Sequence, residues 1–299
     1  MRRILVLGSI NIDDVYAVEH IVVAGETISS RSVSHNAGGK GANQAAALAK
    51  AGLDVCFAGK MGSDGKWVLD ILSSMNVDTG YTIADDSFST GHAIIQVDDK
   101  GQNSIILYAG GNKEFTESDI DNILGNFSEN DILLLQNEIN LIDYAIREAS
   151  RKGLYICFNP SPFDSDIREL PLELVDCFFV NELEGAALAE WEAGSGKDIC
   201  FHDLAMKLCT LYPESSFVLT AGADGAYYAE SGKVFHAPAR ECTVRDTTGA
   251  GDTFCGYFIS ARVLGYPIEK ALEIANKAAS ITVSRDGAME SMPVSGEVF

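Results

Sequence analysis

The sequence is short of basic residues, of paired cysteines and of long apolar runs. Its 299 residues carry 22 Lys and Arg against 43 Asp and Glu, which gives a formal net charge of −21. Because nucleic acids and anionic membranes bind cationic surfaces, this excess of acid argues against both kinds of partner. A phosphate-bearing substrate stays compatible with it, provided that a metal ion and backbone dipoles supply the positive field.

None of the seven cysteines forms a C-x-x-C pair. Cys56, Cys157 and Cys177 lie inside apolar runs, where they are expected to pack as small hydrophobic side chains. The odd number of cysteines, with only four apolar residues before Gly8, predicts a reducing compartment and no secretory signal. No stretch approaches the roughly 18 apolar residues of a membrane span. We therefore expect a soluble, cytoplasmic protein.

Short apolar runs alternate with stretches of helical periodicity along most of the chain. The runs lack polar alternation, which is typical of strands in a parallel sheet covered on both faces. The predicted strands are Ile4–Leu7, Val55–Ala58, Ile132–Leu135, Tyr155–Phe158, Phe178–Val180 and Phe217–Leu219. The predicted helices are Gly41–Ala51, Lys66–Met75, Leu141–Lys152, Glu182–Glu190, Asp203–Leu211, Ala250–Leu264 and Ile268–Ser284. This alternation predicts an α/β fold with a doubly wound, mostly parallel sheet flanked by helices, in a single domain over residues 1–299.

Two segments, 12–35 and 90–109, depart from this alternation, because they are strand-like and have no helical period. The second is predicted to form a hairpin that turns at residues 98–101, with Gly101 supplying the positive φ. We expect the two segments to pair into a small separate sheet. Composition alone leaves open whether this sheet is a lid beside an active site or an ordinary β-extension.

The segment DTTGAGDTF, residues 246–254, carries the strongest chemical signal, because it leads into an apolar helix. The N–H groups of Gly249, Ala250 and Gly251 are expected to lie unpaired at the helix N-terminus, which favours an anion. A carboxylate at Asp252 conflicts with phosphate binding unless it faces the nucleophile while the amides face the phosphoryl group. The alternative is that Asp252 only caps the helix.

A second glycine-rich segment, NAGGKGANQA at residues 36–45, leads into an alanine-rich helix. It lacks the spacing of a Walker A loop. Its glycines would let the backbone and Asn43 approach a polar ligand closely. A glycine-rich turn that only packs the helix tightly is the alternative.

Polar side chains also follow two of the predicted strands. Asn11 and Asp13 come after the first strand, and ligands of open α/β sheets bind at the carboxyl ends of strands. Both are therefore placed to hydrogen-bond hydroxyl groups. Asn181 and Glu184 come after the strand at 178–180, where they either approach Mg²⁺ through water or cap the next helix.

Together these segments resemble, in order and spacing, the ribokinase-like (phosphofructokinase-B-type) carbohydrate kinases. Residues 38–45 and 246–254 match the two signatures of that family, and the likeness covers nearly the full chain. Further matching segments are Ser9–Asp13, Ala24–Thr27, Ser89–Gly91, Gly110–Asn112, Asn159–Pro160, Asn181–Glu184 and Gly287–Ala288. The start of the chain and the Gly-Lys-Gly-Ala-Asn-Gln segment resemble ribokinases most. The resemblance implies a ribokinase-like fold in which segments 12–35 and 90–109 form a β-sheet lid.

The resemblance also implies a role for each matching residue. Asp252 would be the catalytic base, with Gly249, Ala250 and Gly251 as the anion hole. The implied sugar-binding residues are Asn11, Asp13, Gly39, Lys40, Asn43, Glu138 and Asp252. The implied ATP-binding residues are Asn181, Thr220, Gly222, Gly225, Gly251 and Asn276, with Asn181 and Glu184 near Mg²⁺. An activating monovalent cation, K⁺, would be held by Asp246, Thr248, Thr282, Arg285, Gly287 and Ser291.

The implied reaction transfers the γ-phosphate of ATP to the primary hydroxyl of a small sugar, with D-ribose favoured and ribose 5-phosphate as product. The alternatives are a kinase of the same family for deoxyribose, fructose or a nucleoside, and a non-catalytic sugar-binding protein. Residues 289–290, Met-Glu, stand where ribokinases usually have Gln-Pro, so the cation loop departs from the family pattern. We also expect the lids of two chains to pair into a homodimer, which would cover apolar side chains of segment 90–109.

Overall fold

The computed structural model describes residues 2–191 and 199–299, and their strands form one large sheet and two small ones. The strands are β1 (Ile4–Leu7), β2 (Asn11–Ala17), β3 (Ser32–Gly38), β4 (Val55–Ala58), β5 (Lys60–Met61), β6 (Val77–Asp78), β7 (Ile83–Ala84), β8 (Gly91–Val97), β9 (Asn103–Tyr108), β10 (Ile132–Gln136), β11 (Tyr155–Asn159), β12 (Cys177–Asn181), β13 (Ser216–Thr220), β14 (Ala226–Glu230) and β15 (Lys233–Ala237). The large sheet has the order β15-β14-β13-β12-β11-β10-β1-β4-β6. Neighbouring strands pair in parallel except at one edge, where β13 pairs with β14 and β14 with β15 in antiparallel orientation.

Helices cover both faces of the large sheet. They are α1 (Lys40–Lys50), α2 (Lys66–Ser74), α3 (Glu117–Leu124), α4 (Ile142–Arg151), α5 (Glu182–Leu188), α6 (Phe201–Leu211), α7 (Ala250–Val263), α8 (Ile268–Val283) and α9 (Ser295–Val298). In β1, Ile4 and Val6 pack on the side of α1, α2, α7 and α8, whereas Leu5 and Leu7 pack on the side of α3 to α6. Successive side chains of a strand point to opposite faces, so a strand buried on both faces is apolar throughout.

The predicted doubly wound sheet is confirmed. All six predicted strands and all seven predicted helices are present, with ends that differ by at most two residues. The sequence analysis missed α3 and the edge hairpin of β14 and β15. That hairpin turns at Ser231 and Gly232, whose φ angles of 49° and 75° suit a two-residue turn.

Segments 12–35 and 90–109 contribute to a separate four-stranded sheet, as expected, in the order β3-β2-β8-β9. The hairpin between β8 and β9 turns at residues 98–101, and Gly101 has a φ of 75°. Ile105, Ile106 and Leu107 are consecutive residues of β9 and all are exposed. Because neighbouring residues point to opposite faces, both faces of this edge strand are open.

Polar residues of interest gather where the parallel strands end. Gln136, Asn159, Asn181 and Thr220 are the last residues of β10, β11, β12 and β13. This edge of an open α/β sheet is where ligands bind. In the ranges 2–191 and 199–299, no helix has the length and apolarity needed to cross a bilayer.

Candidate active site

Asp252 lies in the first turn of α7, at a cleft of about 200 Å³. The residues that line this cleft include Lys40, Asn159, Ser161, Asn181, Glu184, Thr220, Thr247, Gly249, Gly251 and Asp252. Oδ1 of Asp252 accepts a 2.9 Å hydrogen bond from Nε2 of Gln44, and Oδ2 accepts a 3.2 Å bond from Nδ2 of Asn43. The carboxylate is therefore held by side chains of α1 and does not cap α7. Asp252 is only 7% exposed.

The backbone before Asp252 forms a tight turn into α7. Gly249, the N-cap, has a left-handed φ of 73°, a conformation that glycine adopts without strain. The N–H groups of Gly249 and Gly251 donate to no group within the described ranges. Ala250 differs from the expectation of three unpaired amides, because its N–H donates a long, 3.3 Å bond to the carbonyl of Thr247. Of the three amides predicted to be unpaired, those of Gly249 and Gly251 thus remain so at the positive end of the α7 dipole.

Glu138, two residues past β10, binds the start of α1. Its Oε2 accepts hydrogen bonds from the backbone N–H of Lys40, at 3.0 Å, and from Oγ of Ser9. Gly39 has a φ of 91°, and a Cβ there would lie 2.9 Å from the carbonyl oxygen of Ser9, so the turn requires glycine. This turn brings Gly39, Lys40 and Glu138 together.

The ammonium group of Lys40 lies among carboxylates. Burial works to lower its pKa, but the negative charges of Asp252, Glu138 and Glu184 outweigh burial and raise it. Lys40 therefore keeps its positive charge in a cleft that three carboxylates surround. A fixed positive charge here also offsets part of the repulsion that three carboxylates would exert on an anionic substrate.

Two hydrogen-bond acceptors near α1, Asn43 and Asp13, lie in surroundings that favour a donor from a ligand. Oδ1 of Asn43 is buried and has no partner within the described ranges. The carboxyl group of Asp13 is raised in pKa to about 7 by burial and by the nearby charges of Glu138 and Asp14. Buried acceptors are costly unless a donor reaches them, so this region is suited to a ligand rich in hydroxyl groups.

The side-chain amide of Asn11, the first residue of β2, is hydrogen-bonded to the protein. Its Oδ1 accepts a 2.7 Å bond from Nδ2 of the buried Asn112, whose own Oδ1 accepts from the N–H of Ile10 at 3.0 Å. Asn112 falls in a segment that resembles the kinase family, but the sequence analysis gave it no role. It fixes the amide of Asn11 so that Nδ2 is the group left to donate.

Asn181 and Glu184 cap α5 and also line the cleft. Oδ1 of Asn181 accepts from the N–H groups of Leu183 and Glu184, at 2.9 and 2.8 Å, and Oε2 of Glu184 accepts from the N–H of Asn181 at 3.0 Å. Asn181 and Glu184 therefore cap α5, and this does not exclude the alternative that they approach Mg²⁺ through water. A carboxylate with one oxygen committed to a cap can still bind Mg²⁺ through water, since Mg²⁺ usually keeps several waters.

The remaining nucleotide-binding candidates are spread along the sheet edge. Thr220 and Gly251 line the cleft, whereas Gly222, Gly225 and Asn276 do not. Gly225 has a φ of 93°, and a Cβ there would lie 2.1 Å from the carbonyl oxygen of residue 237. Nδ2 of Asn276 donates to the carbonyls of residues 237 and 238, at 3.0 and 3.1 Å. Gly225 and Asn276 both contact the backbone at the end of β15 and so hold this strand in place.

Three of the six residues implied to hold a monovalent cation, Asp246, Thr248 and Gly287, are hydrogen-bonded together. Its Oδ1 accepts from the N–H and the hydroxyl of Thr248, at 2.9 and 2.7 Å, and its Oδ2 accepts from the N–H of Gly287 at 3.0 Å. These bonds lower the pKa of Asp246 despite the opposing effect of burial, which is the largest single contribution. The carbonyl oxygens of Asp246, Thr248 and Gly287 accept no hydrogen bond from the described residues.

The other three cation candidates use their side chains elsewhere. Oγ1 of Thr282 donates to Oγ1 of Thr253 at 3.0 Å, and Oγ of Ser291 donates to the carbonyl of residue 288 at 2.6 Å. The guanidinium of Arg285 pairs with Glu297 at 2.5 Å. Any part that Arg285 takes in holding a cation must therefore come from its backbone.

Comparison with known proteins agrees with this geometry. The sequence profile of the family described as pfkB family carbohydrate kinase matches residues 1–295. Ribokinase of Staphylococcus aureus is 33% identical to this chain over 306 residues, covering 99% of this chain and 98% of its own length. The crystal structure of ribokinase from Cryptococcus neoformans var. grubii in complex with ADP superposes with a TM-score of 0.86 at 36% identity, covering 100% of this chain and 99% of that one. A structure of Arabidopsis thaliana ribokinase complexed with ribose and ATP superposes with a TM-score of 0.87 at 30% identity, covering 99% and 97%.

The chain belongs to the pfkB family of carbohydrate kinases. It is therefore a sugar phosphotransferase with a ribokinase fold, as the sequence signatures predicted.

The sequence analysis of this carbohydrate kinase gave no role to three polar residues that connect to Asp252. Gln44 contacts Asp252 directly, and it stands within the second glycine-rich segment, which was a usable signal. Gln136 and Asn159 end the buried strands β10 and β11, and a polar residue that closes an apolar run was the available clue. Asn159 also falls in the segment Asn159–Pro160 that matches the kinase family, but it was given no role there, and Gln136 belongs to no matching segment.

Proposed function

We propose that this carbohydrate kinase transfers the γ-phosphate of ATP to the primary hydroxyl of D-ribose, giving ribose 5-phosphate. The observation that carries the proposal is the Asp252 carboxylate, held by two side-chain amides of α1 at a cleft where the N–H groups of Gly249 and Gly251 are unpaired. The relatives named ribokinase in S. aureus and C. neoformans, and the Arabidopsis structure with ribose and ATP, support ribose as the sugar.

The proposed sugar site is the polar region beside α1. Asn11, Asp13, Gly39, Lys40, Asn43 and Glu138 would bind the hydroxyl groups of ribose. The buried, unpartnered Oδ1 of Asn43 supports this, because a sugar hydroxyl is the kind of donor that it lacks. Asp13 adds a second acceptor, and Nδ2 of Asn11, whose Oδ1 is already bound, adds a donor.

Asp252 acts in this mechanism as the general base. An ordinary carboxylate is too weak a base to deprotonate a free alcohol in advance. In a loose phosphoryl-transfer transition state it need not, because the proton leaves late, as the bond from the sugar oxygen to the γ-phosphorus forms and the bond to the β-phosphate oxygen breaks. The proton then passes to Asp252, and ADP leaves with the bonding pair.

The N–H groups of Gly249 and Gly251 would stabilise the charge on the transferring group. They are backbone donors fixed by the turn, so they need no reorganisation when the charge develops. Ala250 contributes more weakly, since its N–H already makes a 3.3 Å bond within the turn. Lys40 would balance the carboxylates around the cleft.

ATP would lie along the edge formed by Asn181, Thr220, Gly222, Gly225 and Asn276. Mg²⁺, when bound with ATP, supplies charge neutralisation of the phosphates. Asn181 and Glu184 would hold it through water, which fits a carboxylate already committed to the α5 cap. A monovalent cation, K⁺, would be held by Asp246, Thr248, Thr282, Arg285, Gly287 and Ser291, and the carbonyls of residues 246, 248 and 287 that lack hydrogen bonds suit it.

The small sheet β3-β2-β8-β9 is proposed as a lid that closes over the sugar within a single kinase domain. Its edge strand β9 exposes Ile105, Ile106 and Leu107. Pairing with the lid of a second chain would bury these side chains through a two-fold contact, so we propose a homodimer. A cytoplasmic location is supported by the seven cysteines, all of which are free thiols.

Two assays test the proposed function. In an ADP-release assay across pentoses, hexoses and nucleosides, D-ribose should give the highest kcat/KM, and a higher value for 2-deoxyribose, fructose or a nucleoside would show that ribose is the wrong substrate. The Asp252→Asn variant should lower kcat by about 10²- to 10⁴-fold while ribose still binds, as expected for a lost general base. A near-normal kcat in that variant would remove Asp252 from the role of base.

A further inference from the structure

Two fully buried glutamines connect the end of β10 to the carboxylate of Asp252. Nε2 of Gln136 donates a 2.7 Å hydrogen bond to Oε1 of Gln44, and Nε2 of Gln44 donates a 2.9 Å bond to Oδ1 of Asp252. Gln44 and Gln136 both have 0% exposed surface. Neither side chain can therefore touch a sugar or a nucleotide, and both lie behind the carboxylate.

The surrounding bonds give Gln44 one orientation. Its Oε1 accepts from Gln136, and its amide nitrogen donates to Asp252 and, at 3.1 Å, to Oδ1 of Asn159. Asn159 is fixed in turn, because its Nδ2 donates a 2.7 Å bond to the carbonyl of Phe179 in β12. Rotating the Gln44 amide would turn its Oε1 toward Oδ1 of Asp252 and Oδ1 of Asn159, so these two acceptors fix its orientation. Oε1 of Gln136 is buried and has no partner within the described ranges, so the bond from its Nε2 to Gln44 is the one that holds this side chain.

The network treats the two oxygens of Asp252 differently. A hydrogen bond to a carboxylate is charge-assisted and strong, and the bond to Oδ1 is the shorter of the two that Asp252 accepts. Oδ1 is thus tied to groups that no substrate reaches. Oδ2 is bound at 3.2 Å by Asn43, which belongs to the proposed sugar site.

We infer that Gln44 and Gln136 are positioning residues for phosphoryl transfer, which fix the plane of the Asp252 carboxylate so that Oδ2 receives the proton of the sugar hydroxyl. This inference rests on the proposed role of Asp252 as the base. The two glutamines act through Asp252 and take no part in binding substrate.

The test is a double-mutant cycle between Gln44→Leu and Asp252→Asn, with kcat and KM measured for ribose and ATP. Gln44→Leu should lower kcat by about 10- to 100-fold, the usual effect of displacing a reacting group, and change either KM by less than about threefold. In the Asp252→Asn background, where the carboxylate is already lost, the same change should lower kcat by less than about threefold. Gln136→Leu should give a smaller loss of kcat that is not additive with Gln44→Leu.

The matched control is Ser260→Ala. Ser260 is also fully buried, and its Oγ donates a 2.7 Å bond to the carbonyl of Gly256 within α7, away from Asp252. It should leave kcat within about twofold of the parent value, since it removes a hydrogen bond that does not reach the carboxylate. If Gln44→Leu does not fold, as judged by its melting temperature against that of Ser260→Ala, the cycle is run with Gln136→Leu.

The outcomes separate this inference from the proposed function. An equal loss of kcat from the glutamine change in both backgrounds, or a loss confined to KM, would overturn the positioning role. If Asp252→Asn alone has a near-normal kcat, the proposed base fails first. If Asp252→Asn is inactive but both glutamine variants are fully active, only the positioning role fails.

Discussion

Ribose binding should depend on pH near neutrality because of Asp13. Burial and the charges of Glu138 and Asp14 raise the pKa of Asp13 from 3.8 to about 7. Below about pH 7 the ligand-free protein therefore carries a proton on a side chain that is ordinarily ionised there. Since Asp13 is proposed to accept hydrogen bonds from sugar hydroxyls, the ionised form should bind ribose more tightly, and ribose binding should expel the proton.

The size of the effect follows from the pKa of about 7. About nine tenths of the free protein is protonated at Asp13 at pH 6 and about one tenth at pH 8. If only the ionised form binds, the Kd for ribose is about tenfold higher at pH 6 than at pH 8, and binding at pH 7 releases about half a proton. Titration calorimetry without ATP, in buffers of different ionisation enthalpy, measures both quantities and keeps the ionisation of ATP out of the experiment.

Two variants assign the effect. Asp13→Asn should bind ribose more weakly, with no proton release and no dependence on pH between 6 and 8. His35→Gln should retain the pH dependence. This second control is needed because Nδ1 of His35 lies 2.6 Å from Oδ1 of Asp14, and Asp14 is one of the charges that act on Asp13. A Kd that is constant with pH in the parent protein, or proton uptake on binding, would refute the reasoning.

Three further changes have expected outcomes. Gly256→Ala should destabilise the protein by about 1–3 kcal/mol and lower kcat, because the added Cβ would lie 2.6 Å from Cβ of Ala47 and push α1 away from α7. Thermal melting measures the loss, and Gly296→Ala is the control, because a Cβ there meets nothing within 4 Å. Activity should be higher in K⁺ than in Na⁺, and Asp246→Ala should abolish the difference; equal rates in both salts and in a bulky organic cation would remove the cation site. Light scattering at micromolar concentration should give twice the 32.0 kDa chain mass, and Ile106→Asp should give the single-chain mass; a parent protein at the single-chain mass would exclude the lid dimer.

The sequence predicted the large sheet well because its parallel strands are buried on both faces and so appear as uninterrupted apolar runs. The edge hairpin was missed, since β15 is largely open to solvent and carries Lys233 and His236, and the short apolar run of β14 ends at the exposed Glu230. Helix α3 was missed for a different reason. Its N-terminal capping box pairs Thr116 with Asp119 rather than with the commoner Glu or Gln, so the usual signature is absent.

The second glycine-rich segment was predicted to matter, but for its glycines and Asn43 rather than for the helix that follows. Lys40, Asn43, Gln44 and Ala47 are spaced i, i+3, i+4 and i+7, which places them on one face of α1. Along that face, Lys40 contributes charge to the cleft, Asn43 and Gln44 hold the two oxygens of Asp252, and Ala47 sets the approach to Gly256 of α7. The distance between two helices thus determines where the carboxylate lies. The spacing of these residues in sequence predicts such a face. Its partners, Asp252 and Gly256, lie far along the chain in α7, so only the folded structure shows that they contact it.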